Sequence, residues 1–155
     1  YKTFTGLTQK YGIAPGNLNL EITETALMSD LQHHMETLTR LQDYGFVIEL
    51  DDFGSGYSSL NMLKDITADV LKIDMLFLRE TEHTVRNRII LQSVISMAKQ
   101  LGMAVITEGV ETEEQLESLK KMGCELFQGY YFSRPISVEE FEQKYIGGTA
   151  GRKRR

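Results

Sequence analysis

Apolar residues recur along this chain in two alternating rhythms. Leu31, Met35, Leu38 and Leu41 fall on one face at helical spacing, and Val85, Ile89, Ile90, Val94, Met97, Ala98 and Leu101 form a longer stripe of the same period. Between the helical segments lie short, strongly apolar runs at residues 18–23, 46–52, 69–74, 104–109 and 125–129, each the length of a strand. The predicted order is β-α-β-α-β-α-β-α-β-α.

Local punctuation agrees with this order. Tyr11-Gly12-Ile13, Tyr44-Gly45-Phe46, Leu101-Gly102-Met103 and Met122-Gly123-Cys124 each set a glycine between an apolar residue and a β-prone run. Glycine accepts the left-handed backbone that ends a helix, so each triplet predicts a helix handing over to a strand. Ser29 with Gln32, Thr112 with Gln115, and Ser137 with Glu140 have capping-box spacing and predict three helix starts. Strict alternation of helices with strands this apolar predicts a parallel sheet covered by helices. Right-handed crossovers then allow an open sheet or part of a barrel, and the pattern alone does not separate the two.

The 155 residues suffice for one compact domain, and no internal linker divides them. No apolar run reaches the roughly 20 residues of a membrane span, and no charged-then-apolar leader opens the sequence. Cys124 is the only cysteine, which excludes an intramolecular disulfide and a thiol-based metal cluster and suits a cytoplasmic setting. The net charge of −5 hides an asymmetry: Arg152, Lys153, Arg154 and Arg155 follow a glycine-rich stretch, and the remainder is distinctly acidic. Residues 1–146 are expected to form the domain and 147–155 a flexible basic tail. An acidic body without a basic stripe argues against a nucleic-acid polymer as partner and suits a protein that gathers divalent cations. The start at Tyr1 rather than Met raises the expectation of a longer parent, a sensor protein whose cytoplasmic part this is.

The candidate chemistry lies at the strand ends. Glu21 is near the end of the first predicted strand, Asp51 and Asp52 end the second, Asp74 ends the third, and Glu108 is near the end of the fourth. In parallel α/β folds active sites assemble at these C-terminal ends. Any one such acid has an ordinary reading as a turn or cap residue; the ordered set does not. Acids converging there repel one another and resist desolvation unless a cation neutralises them. An all-oxygen donor set suits Mg²⁺ or Mn²⁺ better than Zn²⁺. His33, His34 and His83 lie on helices or at their starts and are expected at the surface.

Lys72 shares a strand face with Val70 and Asp74, opposite Leu71 and Ile73. A lysine on the inner face of a buried strand needs an acidic partner. Two readings stay open: a structural ion pair with Asp51 or Asp74, or an ammonium that orients an attacking water and stabilises charge in phosphoryl transfer. After Asp52, the run Phe53-Gly54-Ser55-Gly56-Tyr57-Ser58-Ser59-Leu60 can cradle phosphate on its backbone amides or move as a lid. The third glycine of a dinucleotide fingerprint is missing, so this signal is weak by itself.

In order, Leu20-Glu21-Ile22-Thr23-Glu24, Asp51-Asp52-Phe53-Gly54-Ser55-Gly56-Tyr57, Lys72-Ile73-Asp74, Glu108-Gly109-Val110-Glu111 and Gln128-Gly129-Tyr130 resemble the EAL family of cyclic di-GMP phosphodiesterases. The resemblance implies an α/β fold, a TIM-like (β/α)₈ barrel of EAL type, of which this chain holds about five of eight βα units. It implies hydrolysis of cyclic di-GMP to pGpG at a two-metal site. By the same resemblance Glu21, Asp51, Asp52 and Glu108 are metal ligands, and Lys72, Glu108 and Asp74 are catalytic. Glu24 anchors the loop after Asp52, a loop the family also uses for homodimerisation. Gly54, Ser55, Glu111 and Gln128 fall at substrate-binding or supporting positions.

The tripeptide that names the family, Glu-Ala-Leu, is absent. With it goes one side of the expected metal site, and an isolated five-strand chain is expected to be inactive, with exposed edges near Leu18 and Leu126. Two other readings compete with an enzyme parent: a module that binds cyclic di-GMP without cutting it, and a half-barrel that associates with a partner chain. The intact set of Glu21, Asp51, Asp52, Lys72 and Glu108 favours the enzyme.

Overall fold

The aliphatic runs become five short strands, all parallel: β1 (Asn19–Thr23), β2 (Val47–Phe53), β3 (Val70–Ile73), β4 (Ala104–Thr107) and β5 (Leu126–Phe127). The computed structural model describes residues 1–28, 30–54, 63–74 and 84–146. Helices α1 (Lys2–Tyr11), α2 (Glu24–Met28), α3 (Leu31–Tyr44), α4 (Thr84–Gln100), α5 (Glu113–Lys121) and α6 (Val138–Phe141) flank the strands, α2 and α3 both lying between β1 and β2; residues 63–65 are also helical ahead of β3, and α6 runs into a π-helical turn over Glu142–Ile146. The strands lie in the order β1-β2-β3-β4-β5, each beside its sequence neighbour. A doubly wound sheet reverses its strand order part-way, whereas a barrel wall adds strands in one direction. The uninterrupted order is therefore that of a barrel sector, and it decides what periodicity left open. β1 and β5 form its edges.

The helix–strand junctions follow the local code. Gly12, Gly45, Gly102 and Gly123 all have positive φ. Thr112 caps α5 in a complete capping box with Gln115, and Ser137 caps α6 by accepting from the Glu140 amide. At α3 the cap is Asp30, whose carboxylate accepts from the His33 amide. The expected cap Ser29 lies outside the described residues, as do His83 and the basic tail. His33 is exposed, but His34 is half-buried and its Nδ1 lies 3.1 Å from the Leu27 carbonyl oxygen.

One face of the sheet, carrying Ile48, Leu50, Leu71, Ile73 and Val105, packs on the helices and forms the core with Leu38, Leu41, Leu91 and Ile95. Each fully buried aliphatic side chain contributes about 1.5–3 kcal/mol. The long stripe expected on α4 is corrected here. Its buried side is Leu91, Val94, Ile95 and Ala98, while Val85 and Ile89 are 73% and 62% exposed. Apolar residues surround much of this helix, so its period alone did not select the face that meets the sheet. Among the described residues no helix is long and apolar enough to cross a membrane.

Candidate active site

The opposite face of the sheet is polar, and Lys72 is its centre. Lys72 is 5% exposed, and its Nζ lies 2.8 Å from Glu21 Oε1, 2.9 Å from Glu108 Oε1 and 3.1 Å from Asp51 Oδ1. These carboxylates come from β1, β2 and the end of β4, so four strands converge on one ammonium. Burial is the largest single influence on Lys72 and favours its neutral form. The contacts with Glu21, Glu108 and Asp51 together outweigh it and hold the lysine above its ordinary value, protonated at neutral pH. The open choice of Asp51 or Asp74 as the lysine's partner thus resolves into a three-carboxylate grip in which Glu21 makes the shortest contact.

Asp51 and Asp52 are adjacent, yet both serve this end of the sheet. Consecutive residues of a regular strand point to opposite faces. Here the β2–β3 register shifts between Leu50 and Phe53, and Asp52 adopts a left-handed φ of 57°. The irregularity turns Asp52 into a cavity of about 390 Å³, lined also by Asp74, Glu108, Glu111, Gln128 and Tyr130. Burial, then the charges of Asp51 and Asp74, raise the pKa of Asp52 above the ordinary carboxylate value, with Lys72 acting the other way. A larger cavity, about 460 Å³, lies on the helix side of β1 between Leu20, Ile22, Leu38 and Leu41. Phe4 and these four aliphatic residues make most of its wall, with Asn19, Glu21, His34 and Thr37 also lining it.

Backbone bonds build the far wall. The Val110 amide donates to the Gln128 carbonyl at 3.1 Å, and the Tyr131 amide donates to the Val110 carbonyl at 3.0 Å. A side chain at Gly129 would run into the Val110 backbone, so the two loops meet this closely only because Gly129 has no Cβ. Gly109, Gly129 and Tyr130 were not among the expected site residues, although the last two stand beside Gln128 in its motif. Glu24 is 4% exposed at the start of α2. Gly54 follows β2 with φ 99°, and Ser55 lies outside the described residues.

The donor set fits a hard divalent cation by charge and chemistry. Three carboxylates share one ammonium, leaving two negative charges without a counter-charge in the group. Asp51 Oδ1 is buried and lacks hydrogen-bond geometry to any partner, the 3.1 Å approach of Lys72 being an ion pair only. Among the described residues no group of three or more His, Cys, Asp or Glu side chains is by itself arranged to hold a metal ion; the point that Glu21, Asp51 and Glu108 share is filled by the Lys72 ammonium.

Residues 2–135 match the family model described as EAL domain. The chain belongs to the EAL domain family. It is 42% identical over 140 residues to the cyclic di-GMP phosphodiesterase NbdA of Pseudomonas aeruginosa, covering 88% of this chain and 18% of that protein. The EAL domain of Mycobacterium smegmatis DcpA superimposes with a TM-score of 0.87 at 35% identity, covering 97% of this chain and 67% of that one. BlrP1 of Klebsiella pneumoniae, in its manganese and cy-diGMP complex, gives a TM-score of 0.77 at 34% identity, covering 86% of this chain and 34% of that one. The EAL chain described here thus spans under a fifth of NbdA and two thirds of the DcpA domain.

Proposed function

We propose that this chain forms one side of the catalytic centre of a cyclic di-GMP phosphodiesterase, which adds water to one phosphodiester and breaks its P–O bond to give linear pGpG. The observation that carries the reading is the grip of Glu21, Asp51 and Glu108 on a buried Lys72 at the C-terminal strand ends. The names of NbdA and of the BlrP1 complex support the same substrate.

Divalent cations, Mg²⁺ or Mn²⁺, held by Glu21, Asp51, Asp52 and Glu108, would polarise the phosphate and make water more acidic. BlrP1 complexes with manganese and with calcium support a divalent ion. Held by three carboxylates, Lys72 is an ammonium in the metal-free protein, and in that form it acts as a donor and positive charge that orients the attacking water, not as a base. Asp74 and Glu108 border the cavity where the scissile phosphate would sit, and Glu111 and Gln128 contact the nucleotide from its far wall. Gly54 and Ser55 open the loop that Glu24 anchors, and that loop brings two copies together as a homodimer. Residues 1–146 act as the EAL unit, with 147–155 as its tail, in the cytoplasm.

The sequence holds no Glu-Ala-Leu, so its own carboxylates are only part of the full donor set. The test compares cyclic di-GMP hydrolysis with Mn²⁺ by this chain and by the protein extended by about 100 residues of native upstream sequence. The extended form is expected to hydrolyse and the chain alone to show no turnover. An extended form that binds without cleaving overturns the phosphodiesterase reading in favour of a binding module. Equal activity of the two forms overturns the need for upstream ligands. Light scattering of the extended form tests the dimer.

A further inference from the structure

Tyr130 lines the cavity of about 390 Å³ beside Gln128 and Glu111, and the hydrolysis proposed above does not use it. Of the described residues that line this cavity, only Tyr130 is aromatic. It is 55% exposed, although a ring of this size gains by burial. Its backbone is pinned on both sides. The Val110 amide donates to the Gln128 carbonyl, the Tyr131 amide donates to the Val110 carbonyl, and the Phe132 amide closes a turn on the Gly129 carbonyl at 3.1 Å. Its side chain has a partner on one face, where Arg134 Cζ lies 4.8 Å from the ring centroid. An aromatic ring held in this way meets a ligand with little further loss of conformational freedom.

We infer that Tyr130 is the base platform of the site: the face of its ring away from Arg134 stacks on one guanine of cyclic di-GMP, and Arg134 is a positioning residue that holds the ring at the rim. The inference rests on the phosphodiesterase reading above and adds to it the group that meets the base. Asp52, Asp74, Glu108 and Glu111 suit cations and the phosphates those cations carry, but they offer no flat apolar surface to an uncharged purine. Tyr130 supplies that surface, and every base presents a π-face to it. Arg134 also brings positive charge to a rim that is otherwise acidic, which favours the approach of an anionic dinucleotide.

The test measures cyclic di-GMP hydrolysis with Mn²⁺ by the upstream-extended protein and its variants. Tyr130→Leu keeps an apolar side chain without a π-face. It should raise KM about 5- to 150-fold, the usual worth of one stacked base, and leave kcat within about twofold. Tyr130→Phe should keep the wild-type KM. Arg134→Gln should raise KM about 2- to 5-fold, and Arg134→Lys, which returns a cation to the ring, should recover most of that loss. Tyr130→Trp gives an independent readout, because the chain contains no tryptophan. Its emission, taken as the difference from wild type, should be quenched as cyclic di-GMP binds, and this decides the matter should Tyr130→Leu not fold. The inference is overturned by a wild-type KM in Tyr130→Leu, by a loss confined to kcat, by an equal loss in Tyr130→Phe, or by unchanged Tyr130→Trp emission in the bound state. An unchanged KM in Arg134→Gln removes the positioning role. If the wild-type extended protein neither binds nor cleaves cyclic di-GMP, the phosphodiesterase reading itself fails and the inference with it.

Discussion

Lys72 Nζ on β3 lies 2.8 Å from Glu21 Oε1 on β1, reaching over the full width of β2 to a residue 51 positions away. The contact ties together strands that share no backbone ladder. It also makes one ammonium the stand-in for whatever cations the acidic face gathers.

Replacing Lys72 with Met removes that charge from under three carboxylates. Breaking a buried ion pair at one partner costs about 3–5 kcal/mol. Thermal melts without metal should show a loss of this order, and Mn²⁺ should raise the Tm of Lys72→Met more than that of the wild type. In the extended protein, turnover should fall by about 10²–10³, the usual loss for one preorganised donor. Equal metal response in the two proteins would show that the ammonium and the metal do not compete for the same oxygens.

Asp52 combines a left-handed backbone with a carboxyl whose pKa is raised by burial and by Asp51 and Asp74. An acid with a raised folded-state pKa destabilises the fold once ionised, and the penalty fades as pH falls and the group protonates. Asp52→Asn keeps a residue that tolerates φ near 57° and removes the charge. Metal-free Asp52→Asn should therefore be slightly more stable than wild type at neutral pH, by less than about 1 kcal/mol because solvent screens a carboxyl this accessible. Urea melts at neutral and acidic pH check it, with the advantage shrinking in acid. Mg²⁺ affinity, by calorimetry on the extended protein, should fall.

Gly129→Ala places a methyl group into the Val110 backbone. Relief requires the loop carrying Val110 to move, at the cost of about 1–3 kcal/mol typical of overpacking. Amide exchange should show loss of protection at Val110 and Tyr131, whose bonds close this wall.

Thr112→Ala strips α5 of its capping box with Gln115, and should lower stability by about 1 kcal/mol in urea melts.

The amino-acid sequence by itself determined the alternation of helices and strands, the four glycine junctions, the caps at Thr112 and Ser137, and the acids at the C-terminal strand ends. Each of these follows from interactions within a few residues: a positive φ, a side chain on a free amide, a run of aliphatic side chains. The motif blocks also carried the family, because their order and spacing survive without any coordinates. Tertiary structure alone decided which face of α4 is buried, which carboxylates close on Lys72, how Asp51 and Asp52 come to serve one end of β2, and why Gly129 must lack a side chain. Glu49, set inside an apolar run in sequence, is seen to be buried beside Glu21 and Val70 only in the folded sheet. The physical reason is common to all of these: they depend on contacts between strands distant in sequence, whose register and bulges are set by packing of the whole sheet against its helices.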